Sequence, residues 1–161
     1  MPEGMVGYDE DLYLWSQQQA AALREAARRG VNLPVDWENV AEEIESLGRS
    51  DRNDVLGRMR VIVEHLLKLE FGDRPEPRRG WKVTVTRERA VIERVLAESP
   101  SLRARSDEFL REIAPAAVKV AARSLYAYGE LDAEAAVRRM GARYTLDQVL
   151  GDWFPDEPGE P

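Results

Sequence analysis

Cysteine is absent from this 161-residue chain, and histidine occurs once, at position 65. The first absence removes disulfides, thiolate zinc sites and cysteine nucleophiles together. The second starves any metal centre built on paired imidazoles. A carboxylate-bridged di-iron bundle wants Glu-x-x-His on two helices, and the residue three before His65 is Ile62. Long apolar runs are missing too: nothing approaches the ~20 residues of a membrane helix. The N-terminus MPEGMVGYDEDLYLW has no positive segment followed by an apolar one, so no signal peptide is expected. Positive charge is in deficit, with 30 Asp and Glu against 23 Lys and Arg, a net charge of −7. Nucleic-acid affinity rests on clustered cations, so here it would have to come from a local patch. No nucleophile elbow surrounds a serine, and no glycine pattern cradles a phosphate.

What remains is a chain that is 43% hydrophobic and 33% charged. At this length folding buries roughly 70% of the unfolded surface, so a core needs no staple. Residues 1–7 read as a flexible N-terminus, 8–155 as a single all-α domain, and 156–161 (DEPGEP) as a disordered acidic tail. The expected architecture is a helical bundle of four to five main helices plus short C-terminal helices.

The first helix opens at YDED, with Asp9 as N-cap, and stops at Gly30. A second, capped by Asp36, runs from Trp37 to Leu47 and ends at Gly48. A third, capped by Ser50 or Asp51, reaches Phe71, with Gly57 a weak point inside it. Asp73–Arg79 is a loop around two prolines. Trp81–Glu98 is the fourth helix, its VTVT run being β-favouring. Ser99-Pro100 opens a fifth, in which Pro115 predicts a kink or a break. Asp132 caps a sixth helix to Met140, and Thr145-Leu-Asp-Gln148 is a capping box for a last short one.

A helix advances about 100° per residue, which assigns faces. Trp37, Val40, Ile44 and Leu47 form one apolar stripe; Glu43 sits at its edge, with Glu42 and Glu45 opposite. Val55, Met59, Ile62, Val63, Leu66 and Leu69 form another, with Glu64 and Lys68 opposite as an i,i+4 pair and His65 at the boundary near Arg58. In the fourth helix Glu88 falls in the middle of the stripe of Trp81, Val85, Ile92 and Val95, with Arg89 beside it. A buried, unpaired carboxylate costs several kcal/mol, so Glu88 must be paired, protonated or wet.

The ordered set EEIESLGRSDR (Glu42–Arg52), EHLLKLE (Glu64–Glu70), Trp81 with Thr84-Val85 and Arg89, ESPSLR (Glu98–Arg103) and YTLDQVL with Trp153-Phe154-Pro155 is similar to the domain-of-unknown-function family twenty-nine. The opening YDEDLYLW fits it as well. This family is found in cyanobacteria and other bacteria, and the likeness spans Tyr8 to Pro155, more loosely from Ala104 to Ala142. The resemblance implies an all-α fold and no established activity. In that family the position of Glu88 is often glutamine, which weakens a catalytic role for this carboxylate.

These readings favour an uncharacterised bacterial, cytoplasmic protein: a non-catalytic interaction or regulatory module without cofactor or membrane span. It would bind a protein partner or a second copy through residues such as Trp81, Arg89, Glu88 and Arg58. One alternative is a magnesium-dependent hydrolase of a nucleotide or phosphate ester. Glu43 and Asp51 would then hold the ion, His65 would serve as base and Arg89 as phosphate partner; Glu42-x-x-Glu45 also has the spacing of a magnesium motif. The other alternative, less favoured in an acidic chain, is nucleic-acid binding by Arg74, Arg78, Arg79, Lys82, Arg87 and Arg89 around Trp81.

Overall fold

The computed structural model describes residues 4–156. The expectations for Met1–Glu3 of the N-terminal segment, and for 157–161 of the acidic tail, lie outside the described residues. In chain order the helices are α1 (Leu12–Arg28), α2 (Trp37–Phe71), α3 (Arg78–Glu98), α4 (Pro100–Arg103), α5 (Ser106–Ala127), α6 (Leu131–Met140) and α7 (Leu146–Leu150). Among the described residues there is no strand, so the fold is all-α. Two compact units share the chain: Met1–Val55 with Arg94–Arg105, and Leu56–Glu93 with Ser106–Pro161.

Sequence expectation and structure part first at Gly48. The expected second and third helices are one 35-residue helix that passes straight through this glycine. Gly48 is not a stop but a close approach: a Cβ built there would lie 2.3 Å from Ser16 Oγ and 3.1 Å from Tyr13 Cδ2 of α1. Ser16 is fully buried, and its hydroxyl donates to the Tyr13 carbonyl at 2.8 Å. Ala41 and Gly48 of α2, together with Ser16 and Ala20 of α1, are buried small residues. They let the two helices pass closely.

That crossing rotates α2 away from the expected facing. Val40 and Leu47 are 39% and 49% exposed, so two of the four residues assigned to the core face outward, while Trp37 and Ile44 are half-buried. Glu43 is exposed, whereas Glu42 and Glu45 meet α1. Arg24 of α1 donates to Glu45 at 2.7 Å and to Glu38 at 3.2 Å, and Arg49 reaches Glu42 at 2.6 Å.

The N-cap of α1 is Asp11, not Asp9. Its carboxylate accepts from the Leu14 amide at 2.8 Å, and from the Ser101 amide and hydroxyl at 2.6 and 2.8 Å. In return Ser99 Oγ accepts from the Tyr13 amide at 3.1 Å. Two helix N-termini thus cap each other, and their orphan donors share one buried carboxylate.

In the second unit the C-terminal half of α2 is the central rod. Met59, Ile62, Val63, Leu66, Leu67 and Leu69 are fully buried, a broad apolar stripe turned to the core. The Glu64–Lys68 pair forms at 2.9 Å, but not on a solvated face. Lys68 is 4% exposed, and its ammonium stands 5.1 Å from the centre of the Trp81 ring. The aliphatic stem serves the core while the charge finds a carboxylate and a π-face.

α3 starts at Arg78, earlier than expected, and VTVT is helical. Thr84 and Thr86 hydroxyls donate to the carbonyls of Gly80 and Lys82 at 3.1 and 3.0 Å, a back-bond that a helix accommodates. The break expected at Pro115 lies instead at Ala104–Arg105, and α5 runs through the proline. Pro115 is exposed, as is Arg111 one turn earlier, so water can satisfy the carbonyl left without its donor. The cap position of α6 is Glu130, and Asp132 falls inside its first turn. The Thr145–Gln148 capping box of α7 is present in both directions.

Candidate functional site

Of the residues singled out from the sequence, Glu43 and Asp51 belong to the first unit; Arg58, His65, Trp81, Glu88 and Arg89 belong to the second. The second group occupies facing stretches of α2 and α3. Arg58 Nη1 donates to Glu88 Oε2 at 2.7 Å, so the inward carboxylate is paired. His65, half-buried, has Nδ1 2.8 Å from the Val61 carbonyl. Because a carbonyl only accepts, that ring nitrogen carries the proton and Nε2 is the basic one. Burial, reinforced by the Lys68 charge, pushes the imidazole pKa down; the Val61 carbonyl, Glu64 and Glu88 oppose this. Burial thus favours the neutral ring.

Arg89 does something other than bind a phosphate. Its Nε donates to the Val149 carbonyl at 2.9 Å, and one Nη donates to Gln148 and Trp153 carbonyls at 2.8 and 2.7 Å. Phe154 lies under the guanidinium at 4.8 Å. Burial pushes its pKa down, Asp152 offsetting this, and the group remains a cation. Arg89 caps the C-terminus of α7, where exposed carbonyls and the helix dipole favour positive charge. Tyr144 secures the approach to α7 from the other side. Its hydroxyl donates to Glu70, and its pKa is pushed up, chiefly by burial and then by that carboxylate.

Trp81 is 6% exposed, between Lys68 and Tyr128, whose ring centre is 6.2 Å away. It is a core residue and offers no open face to a base. In the first unit Asp51 is half-buried. Desolvation pushes its pKa up, and the like charges of Glu98 and Asp54 add to this. Among the described residues no group of three or more His, Asp or Glu side chains is placed to hold a metal ion.

A large groove lies elsewhere, along the outward face of α3 and the loop before it. This groove, of about 770 Å³, is lined by Pro75, Arg79, Lys82, Val83, Arg87 and Ala90, with Arg78 and Thr86. Val83 is 58% exposed there. The basic cluster is legible in the sequence; the apolar floor between its members escapes that reading. A signal for it exists: Val83 and Ala90 are two helical turns apart, on the side of α3 away from Trp81, Val85 and Ile92.

The model for the "Domain of unknown function DUF29" matches residues 7–154. The chain belongs to this family. The expected all-α fold of DUF29 is the one observed. A solved structure described as an alpha-helical protein of unknown function, from Rhodospirillum rubrum, is similar. It has a TM-score of 0.65 and 25% identity, over 91% of this chain and 90% of that one. No curated protein matches the chain. No helix among the described residues is long and apolar enough to cross a membrane. Within this DUF29 chain four of the stretches quoted from the sequence have distinct structural roles. EEIESLG builds the α1–α2 crossing and EHLLKLE the central rod, while ESPSLR supplies the mutual caps and YTLDQVL the helix that Arg89 holds.

Proposed function

We propose that this DUF29 chain is a non-catalytic, cytoplasmic protein-interaction module, with the outward face of α3 as its binding surface. The observation that carries this reading is the groove over Val83, which has an apolar floor and a cationic rim. The candidate acid–base and phosphate-binding groups are engaged with the protein's own structure. Arg89 is bonded to three backbone carbonyls, Glu88 to Arg58, and His65 to the carbonyl of its own helix. Pockets that do chemistry gather perturbed titratable groups at an accessible cleft; here the accessible cleft is lined by Arg, Lys and apolar side chains. A large apolar surface rimmed by polar groups marks an interaction site.

The test is affinity capture from the native cell with mass spectrometry, comparing wild type, Val83→Glu and His65→Gln. Prey lost with Val83→Glu and kept with His65→Gln supports the module. Prey unchanged by Val83→Glu refutes the groove as its surface.

A further inference from the structure

We infer that the groove on α3 takes an acidic amphipathic helix of a partner protein, an inference that rests on the interaction reading above. The first ground is charge. In a chain of net charge −7, the groove is lined by Arg78, Arg79, Lys82 and Arg87, with no Asp or Glu among its described lining residues. Arg78 is buried and donates to the Gly72 carbonyl at 2.9 Å. Arg79 and Arg87 are exposed and Lys82 half-buried, so these three form the rim. An incoming segment with carboxylates on its flanks matches this rim, and one with lysines is repelled. Opposed potentials across an interface set partner choice more than raw affinity.

The second ground is shape. Positions 79, 83, 86 and 90 follow one another at spacings of four, three and four, the pattern of a helix–helix seam. Thr86 and Ala90 are small, and the Thr86 hydroxyl is already bonded to the Lys82 carbonyl. A second helix can therefore lie close along α3 without stranding a donor. No strand exists among the described residues, so a partner has no sheet edge to extend. Helix-in-groove docking is the mode that this seam fits. The alternative occupant, single-stranded nucleic acid, needs an aromatic platform for its bases. Trp81 is buried against Lys68 and Tyr128, and the described groove lining contains no aromatic residue.

The experiment uses the full chain and fluorescence anisotropy at about 0.15 M salt. The labelled probes are helical peptides of about 18 residues, five turns, sharing one apolar seam and differing only in flanking Glu, Gln or Lys. Oligothymidylate is the fourth probe. The acidic peptide should bind about tenfold or more tighter than the basic one. Arg79→Glu/Arg87→Glu should invert that order, and Val83→Glu should abolish binding of all three peptides. All three substitutions are at exposed positions, and unchanged far-UV circular dichroism verifies the fold. Equal affinity for the three peptides, no binding by any, or an order unmoved by the double reversal overturns the inference. Oligothymidylate displacing the acidic peptide overturns it in favour of nucleic acid. If the peptides fail while Val83→Glu still strips protein prey in the cell, the acidic helix falls and the module stands. Prey indifferent to Val83→Glu sinks both.

Discussion

Two glycines in α2 should respond in opposite ways to the same substitution. Gly57 has nothing within 4 Å of an added Cβ. Gly57→Ala therefore gains the helix propensity that glycine forfeits, about 1 kcal/mol. Gly48→Ala gains the same propensity but drives its methyl to 2.3 Å from Ser16 Oγ and 3.1 Å from the Tyr13 ring. The hydroxyl cannot step aside cheaply. It is fully buried and bonded to the Tyr13 carbonyl at 2.8 Å. Over-packing a tight contact costs about 1–3 kcal/mol, and a buried hydroxyl turned from its acceptor costs about 1–3 kcal/mol more. Less the propensity gain, Gly48→Ala should destabilise by about 1–5 kcal/mol, so the two substitutions differ by about 2–6 kcal/mol. Urea unfolding followed by circular dichroism gives both numbers. Ser16→Ala removes the obstructing oxygen, so the Ser16/Gly48 double-mutant cycle should show a coupling above about 1 kcal/mol. Gly48→Ala stabilising the protein as much as Gly57→Ala would refute the close crossing of α1 and α2.

Removing the fork that holds α7 is a second test. Arg89→Ala should cost about 3 kcal/mol, because it strands carbonyls that now receive charge-assisted bonds, and Arg89→Lys should recover less than half of it. Hydrogen exchange across Leu146–Leu150 should speed up in both, and unchanged protection would refute the clasp. Asp51 has a pKa raised by burial and by Glu98 and Asp54, so its charge opposes folding at neutral pH. Asp51→Asn should be more stable than wild type at pH 7, with the gain shrinking as pH falls through the raised folded pKa; a loss at pH 7 would contradict the cause given. For His65 the folded pKa lies below the ordinary 6.5, so the unfolded chain takes up the proton first. Its contribution is complete above the unfolded pKa and is lost as pH falls toward the folded one. Stability of wild type relative to His65→Gln should decline on acidification from about pH 7.5, and the imidazole should titrate below 6.5 by NMR; a value at or above that would remove the burial argument.

Much of the local structure is legible from single residues. Gly30 and Gly129 end helices with positive φ, as a C′ glycine does. Thr145 and Gln148 cap α7 because both partners lie within one turn. The inward carboxylate of Glu88 demands a partner, and Arg58 is that partner. The departures in facing share one cause: periodicity tells which residues lie on one side of a helix, not which side a neighbour covers. Val40 and Leu47 have the spacing of core residues and face outward, while Lys68 has the spacing of a solvated residue and is buried.

Composition and spacing determined by themselves that the protein is helical and lacks thiol and paired-imidazole metal chemistry, because those depend on residue type and on contacts within a few turns. Only the tertiary structure decided that Gly48 is a crossing rather than a terminus, that Arg89 clasps a helix rather than a phosphate, and that the basic stretch of α3 has an apolar floor. Each of these depends on which residue of another element stands within a few ångströms, and no period along the chain encodes that distance.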